Sequence, residues 1–364
     1  AQAIVYQACW AHGPVGWRAA PKNLRHAAGG HLRALARMSP LAGALTACVL
    51  VCCSALHPPQ IQTKVAADVM PSDAGADTSR CDLRRVAERN ALQKMRERDA
   101  WVALHSNHTK VDTMMAGALL APYYPCPWTL AKTASVKEMI DGGKWVCGLA
   151  ELAAARPRAC VAYSLGVNFE ISFEDRILRD TGGECVIHGY DPTMSPLEKV
   201  QSWVSGLPRN YHFHDQGIVG GETSQPNASA FGSKSTTLRE ALRRNGNAGG
   251  VDILKFDIEG YEYELLEEMD WASLRIGLIL FEVHAGIIEG RLGRPYDAGA
   301  LHRHLQRLES AGYRLYSAEP VCTGCSGQLE LALIHRDWTP QAGFAAPLCP
   351  NVTGLPVPPT SGEA

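Results

Sequence analysis

The sequence predicts an α/β domain built on a seven-stranded, mainly parallel sheet that closes with an antiparallel hairpin, preceded by a helical N-terminal extension. Three observations predict it. Short β-rich apolar runs alternate with helical stretches from Cys160 onward, the pattern that strand–helix–strand units leave in a sequence. The last two runs, YRLYSA from Tyr313 and QLELALIH from Gln328, have no helical stretch between them. Several runs end in glycine and carboxylates, where open sheets bind ligands beyond the carboxyl ends of their strands.

The elements follow in order. Residues 79 to about 110 are charged, with Leu83, Val86, Leu92, Met95 and Trp101 largely on one side, which predicts one or two amphipathic helices. The Pro/aromatic cluster from Pro122 to Trp128 predicts an irregular crossing. The expected strands are 160–165 (CVAYSL), 184–190 (ECVIHGY), 210–214 (NYHFH), 251–258 (VDILKFDI), 276–284 (IGLILFEVH), 313–318 and 328–335. Each is short, rich in β-branched or aromatic residues and flanked by turn formers. Helices are expected at 169–179, 196–204, 237–244, 261–269 and near 298–311.

Of the 364 residues, 46% are hydrophobic and 20% charged, with 35 basic against 37 acidic side chains. That excludes a disordered chain and gives no basic surplus, so no nucleic-acid partner is expected. The charges are unevenly placed. Residues 1–67 hold no Asp or Glu, and LAGALTACVLVCCSAL, residues 41–56, is an uncharged apolar run behind Arg33 and Arg37. It is shorter than the ~20 residues that span a bilayer comfortably, so a signal peptide or short signal anchor is expected within a leader, 1–56. Met38, the first methionine, directly precedes the run, and one expectation is that residues 1–37 are not translated. The competing expectation is an organellar transit peptide, since the region is Ala/Arg-rich and acid-free.

The remaining organisation is a linker at 57–78, a Cys-containing helical extension at 79–150, the α/β domain at 151–340 and a Pro-rich tail at 341–364. The sequons at Asn107, Asn227 and Asn351 are glycosylation acceptors if the chain enters the lumen. Beyond the leader the cysteines number eight: Cys81, Cys126, Cys147, Cys160, Cys185, Cys322, Cys325 and Cys349. An even count fits disulfides in an oxidising compartment, with the connectivity left open. Expected localisation is therefore the ER or Golgi lumen, membrane-anchored through the N-terminal segment if it is uncleaved, or secretion. The pair Cys322–Cys325 reads as a disulfide before half a zinc site.

Four strand ends hold the candidate chemistry. In YSLGVNFE the first strand meets a glycine turn, with Ser164, Gly166 and Asn168 as candidate cofactor contacts. Gly166 lets the backbone approach a ligand, or simply makes the turn. Asp191, 25 positions later in HGYDPT, stands where nucleotide-binding folds hold ribose hydroxyls, or is an Asp-Pro turn. Asp257 and Glu259 in LKFDIEGYE emerge ahead of Gly260, with Asp257 a candidate cofactor contact as well, and Glu282 and His284 end the next strand. Buried acids need partners, so these four read as a functional cluster, serving as base or as metal ligands. His212 and His214 alternate along a strand and read as satisfied histidines. His302 and His304, on a charged helix, read as surface residues.

The ordered segments CVAYSLGVNFEISFEDRIL, HGYDPT, STTLREAL, DILKFDIEGYEYELLEEM and LILFEVH, within residues 145–335, resemble the FkbM-related methyltransferases. They look closest to the methyltransferase-like branch that has a membrane-proximal leader. The resemblance implies a Rossmann-like class I methyltransferase fold with S-adenosylmethionine as cofactor. It implies Gly166 as the cofactor-loop glycine, Asp191 as ribose ligand, and Asp257 with Glu259 as the DxEG site motif. The expected reaction is methyl transfer to an oxygen, less so to a nitrogen, of a small-molecule or glycan-type acceptor. No resident metal is expected. A non-catalytic secreted module that keeps the fold is the alternative, motivated by the single glycine in the loop. A nicotinamide oxidoreductase is disfavoured because GxGxxG is absent.

Overall fold

In the computed structural model the described residues are 74–105, 110–111, 119–133, 143–155, 160–221, 234–321 and 326–345. The chain divides into two units, Ala1–Val69 and Met70–Ala364, and the described residues all belong to the second. The leader, the three sequons, Cys322–Cys325 and the tail beyond residue 345 lie outside them. Among the described residues no helix is long and apolar enough to cross a membrane.

A long helix, α1 (Ala74–His105), comes first; it starts five residues inside the stretch read as linker. Two short strands, β1 (Leu130–Lys132) and β2 (Trp145–Cys147), pair antiparallel, followed by α2 (Leu149–Ala154). The main domain then runs β3 (Val161–Leu165), α3 (Ser172–Asp180), β4 (Val186–Tyr190), α4 (Leu197–Ser205) and β5 (Tyr211–His214). A parallel pair follows, β6 (Gly217–Val219) with β7 (Ser235–Thr237), then α5 (Leu238–Arg244), β8 (Val251–Phe256), α6 (Glu262–Glu268) and β9 (Ile276–His284). The chain closes with α7 (Ala285–Leu292), α8 (Ala298–Ser310), β10 (Tyr313–Pro320) and β11 (Gln328–His335).

The sheet has seven strands in the order β10-β11-β9-β8-β3-β4-β5. Pairs among β9, β8, β3, β4 and β5 are parallel, while β11 is antiparallel to both neighbours. All seven expected strands are therefore present, and the closing hairpin with them. Strands β8 and β9 are buried along their whole length because helices cover both faces, which is why they read as continuous apolar runs. One face packs Tyr163, Phe256 and Phe281 against helix residues such as Leu242, Leu265 and Leu305; Phe256 and Phe281 stack at 5.0 Å. The other packs Ile187, Ile253 and Leu278 against Leu152, Ile177 and Trp338.

Helix α1 docks on α8 through buried charges. Arg98 pairs with Glu309 and donates from Nε to His302 Nδ1 at 3.2 Å. Arg314 of β10 holds Glu88 at 2.9 and 3.0 Å. His302 and His304 are accordingly 5% and 1% exposed, not surface residues: the charges of α8 that made it read as solvated are partners for α1 and for Glu267. Among the described residues, the disulfides Cys126–Cys147 and Cys160–Cys185 tie the Pro/aromatic crossing to β2 and the start of β3 to that of β4.

Candidate active site

Strand order reverses between β3 and β8, and the site lies at their carboxyl ends. Leaving β3, the chain turns at Gly166 with φ +79°. A Cβ there would stand 1.8 Å from the Asp257 backbone oxygen, so glycine alone fits between the two strand ends. Asp257 N–H in turn donates to the Leu165 carbonyl at 3.1 Å. Lys255 Nζ donates to the Gly166 carbonyl at 2.8 Å and pins the loop from below.

Asn168 and Phe169 follow with φ of 44° and 61°, left-handed values that strain a side-chain-bearing residue. The carboxylate of Asp191, at the end of β4, holds them there. Its Oδ2 accepts from Val167 N at 3.1 Å and Asn168 N at 2.8 Å, and its Oδ1 from Thr193 N at 2.9 Å and Thr193 Oγ1 at 2.6 Å. A carboxylate offers about four acceptor positions, and protein donors fill them. Asp191, expected as a ribose ligand, thus shapes the loop while lining the cavity beside it.

That cavity measures about 620 Å³ and is bordered by Gly166, Asn168, Asp191, Thr193, Asp257 and Glu259. Glu174, a fully buried wall residue, has its carboxyl pushed up by burial, opposed by Lys255 and Ser164. Ser164 itself is fully buried in β3, beside Glu174, and does not itself border the cavity. The glycine cradle, the polar loop held by Asp191 and the apolar wall of Val167, Phe173, Tyr190 and Ile218 suit a nucleoside-bearing cofactor, whose volume falls within this range of cavity sizes.

Strand β8 stops at Phe256, two residues earlier than expected, so strand alternation does not govern Asp257 and Glu259. Glu259 instead takes φ 53°, and the turn brings both acids near one ring: His284 Nε2 lies 3.8 Å from Asp257 and 3.6 Å from Glu259. Asp257 borders the cavity, while Glu282 and His284, 2% and 4% exposed, stand behind it. Glu262 Oε1 is 3.1 Å from His284 Nδ1 and Glu282 Oε1 is 3.2 Å from Nε2. Burial alone would depress this imidazole, but the two carboxylates push it up to about 10. The pairing favours its protonated form.

Lys144, just before β2, is buried with Nζ 3.1 Å from Glu282, 2.7 Å from Glu330 and 3.7 Å from Asp257. Its ammonium is held well above the usual lysine range: burial opposes the charge, but Glu330, Asp257 and Glu282 outweigh it. Asp257 is likewise held below the usual carboxylate range, with burial overcome by Lys255, Lys144 and His284.

Oxygens of Asp257 and Glu262 and a nitrogen of His284 lie within 4.8 Å of one another. Glu262 also accepts from Ile258 N at 2.8 Å and Gly260 N at 2.7 Å. The cluster is an ion-paired network in which Lys144, Lys255 and His284 supply the positive charge. Lys144, Lys255, Glu174 and Glu262 were not singled out in the sequence. Lys255 stands two residues before Asp257, which is a usable signal, whereas Lys144 is over a hundred residues from its partners in sequence.

Fold and site together define a class: a Rossmann-like sheet of the methyltransferase plan, with its cofactor cavity at the switch point. A family model described as "Methyltransferase domain" matches residues 86–334. The chain belongs to this family; it is a methyltransferase and S-adenosylmethionine is its cofactor. The match begins within α1. Solved structures similar in fold include the fibrillarin of Aeropyrum pernix with natively bound S-adenosyl-L-methionine (14% identity, 59% of this chain and 86% of that one, TM-score 0.31). Cofactor-bound Rv0187 from MTB shows 16% identity over 65% of this chain and 96% of that one, TM-score 0.31. The Methanococcus jannaschii fibrillarin pre-rRNA processing protein shows 11% identity over 57% and 88%, TM-score 0.31. No curated protein matches the sequence.

Proposed function

We propose that the chain is an FkbM-related O-methyltransferase that acts in the secretory pathway on a hydroxyl of a small-molecule or glycan-type acceptor. The observation that carries this reading is the carboxylate of Asp257, 21% exposed at the cavity and backed by Lys144, Lys255 and His284. Bound S-adenosylmethionine supplies a methyl on a sulfonium, already a good leaving group, so the protein has chiefly to align the acceptor and receive its proton. Gly166 and the loop held by Asp191 seat the cofactor. Asp257 accepts a hydrogen bond from the acceptor hydroxyl, orients its oxygen toward the methyl and takes the proton as the bond forms. Glu259, on the exposed rim, passes it to solvent. His284 and Glu282 position Asp257 and do not touch the acceptor.

The disulfides Cys126–Cys147 and Cys160–Cys185 support an oxidising compartment, as do the acid-free leader and the sequons; the leader, if uncleaved, anchors the chain to the membrane. The near-neutral charge balance speaks against a nucleic-acid acceptor.

The test is calorimetric titration of S-adenosylmethionine into the full chain made in an oxidising host, followed by methyl transfer to a panel of hydroxyl and amine acceptors. Saturable binding, and turnover on hydroxyl acceptors that Asp257→Asn lowers by orders of magnitude, is the expected result. Binding without turnover on any acceptor would instead establish the non-catalytic module. That second reading is favoured by one observation: the Asp191 oxygens, expected to hold the ribose, are filled by protein donors.

A further inference from the structure

Away from the acids, a second group of titratable side chains sits on the sheet. Strands β4 and β5 pair in parallel with His188 opposite His212 and Tyr190 opposite His214. Residues two apart on a strand share a face, so His188, His212 and His214 project together, on the side that carries Tyr163 and Tyr190. Ring centroids of His188 lie 5.2 Å from His212 and 5.4 Å from His214, and His188 Nδ1 is 3.1 Å from His214 Nε2.

We propose that His188, His212 and His214 form a binding site for a divalent transition-metal ion of the zinc type. The ligand chemistry fits: imidazole nitrogens suit zinc, and three of them with one open position make a complete set of protein ligands. So does the layout. A His-x-His pair on one strand presents two imidazoles to the same side, and the register neighbour supplies the third from the adjacent strand. A separation of 3.1 Å between two ring nitrogens is close to that of two ligands each ~2.0–2.1 Å from one tetrahedral ion. His212, the outermost of the three, is exposed, so its ring can turn to close the set and the ion has a path of entry.

Partners behind the rings hold the arrangement. Asn247 Nδ2 lies 3.3 Å from His188 Nε2 and 3.1 Å from Tyr163 Oη, while Asn245 Nδ2 reaches both Tyr163 Oη and Tyr190 Oη. With the Asn247 amide donating to Nε2, the His188 proton sits on Nδ1 and is given to His214 Nε2. Binding of an ion at Nδ1 moves that proton to Nε2, and a half-turn of the Asn247 amide presents Oδ1 to receive it. Net protonation of His188 is unchanged, and the ion replaces the hydrogen bond between the rings. Such a backing hydrogen bond is what fixes the tautomer of a metal-bound histidine.

The site also touches the cavity. Tyr190, a wall residue, stacks on His214 at 4.3 Å, and Asp191 N–H donates to the His214 carbonyl at 3.2 Å. An ion on the three rings therefore stiffens the ends of β4 and β5 that carry the Asp191 loop.

The experiment is titration of zinc chloride into the chelator-treated full chain by calorimetry, and of cobalt(II) chloride followed by visible absorption, for wild type and for His212→Ala, His214→Ala and His284→Gln. Expected are one equivalent bound by wild type, the d–d absorption of a tetrahedral cobalt site, and at least a tenfold weakening in His212→Ala and His214→Ala. His284→Gln is expected to bind as wild type does. His212→Ala removes an exposed side chain, so folding is preserved in at least that variant. Absence of binding by wild type overturns the proposal. So does binding that survives His212→Ala and His214→Ala, or that is lost in His284→Gln alone, which would move the ion to the acidic cluster.

Discussion

Lys144 Nζ stands 3.1 Å from Glu282 Oε2 with both side chains buried, and through Glu282 it reaches the imidazole of His284. A loop residue before β2 thereby sets the electrostatics behind Asp257. Lys144→Met leaves Glu282 and Glu330 in the core without their cation, a loss of about 3–5 kcal/mol for a broken buried pair. The expected outcome is a lower denaturant midpoint together with loss of methyl transfer. Adding Glu330→Gln, which neutralises the carboxyl that burial pushes up to about 7, should return part of the stability and none of the turnover. Equal midpoints for Lys144→Met and wild type would show that the network carries no such load.

Asp257→Asn keeps the shape of the side chain and removes its charge. Because Asp257 borders the cavity and the loop contact is made by its backbone, cofactor affinity should change by no more than a few fold. Turnover should fall by about 10²–10⁴, the span associated with positioned proton transfer. Single-turnover kinetics beside calorimetry separates the two. A variant that loses cofactor binding and turnover in equal measure would make Asp257 a cofactor ligand instead.

Gly166→Ala tests the junction of β3 with β8. The φ of +79° and the 1.8 Å approach to the Asp257 oxygen leave no place for a methyl without backbone movement. The left-handed conformation alone costs an alanine about 1 kcal/mol or more. Cofactor affinity should drop at least tenfold, with a smaller fall in melting temperature. Gly182→Ala is the control: it shares a positive φ of 63° but meets nothing within 4 Å, so its effect should be confined to stability.

Much of this was legible in the sequence. The seven sheet strands announce themselves because each is a short apolar run between turn formers, and the hairpin because no helix separates β10 from β11. Helix α7 was not legible: AGIIEGRL follows β9 without a turn and carries two glycines, so neither a boundary nor a helical period shows. The late start of α3 was hidden as well, since nothing in Asn168-Phe169 marks two left-handed residues imposed by a carboxylate from β4. At the site, Asp257, Glu259 and Gly166 stood out because strand ends concentrate ligand chemistry. Glu282 and His284 were found but not their place, since periodicity gives a face and not a depth. Lys144 could not be found, because its role exists only once β2 is laid beside β9 and β11.

The histidines predict how stability depends on pH. Burial, aided by neighbouring positive groups or imidazoles, pushes His188, His214 and His302 down to about 4 and His304 to about 3. His335 also falls to about 4, chiefly through burial. A depressed histidine is neutral in the folded chain while the unfolded chain takes up a proton near its ordinary value of ~6.5. Stability is therefore complete above that value and is lost as the pH falls from about 6.5 toward 4. His284 has the opposite sign. Raised to about 10 by Glu262 and Glu282 against burial, it stabilises fully below about 6.5, and its contribution disappears as the pH rises through 10. Chelator-treated wild type should thus show a melting temperature lower at pH 5 than at pH 7.5 by on the order of 5 °C or more, and a further decline between pH 8 and 10. His284→Gln should abolish the alkaline decline and leave the acid one in place. An alkaline limb unchanged in His284→Gln would mean that the imidazole is neutral in the folded chain, and its pairing with Glu262 and Glu282 no more than a hydrogen-bond contact.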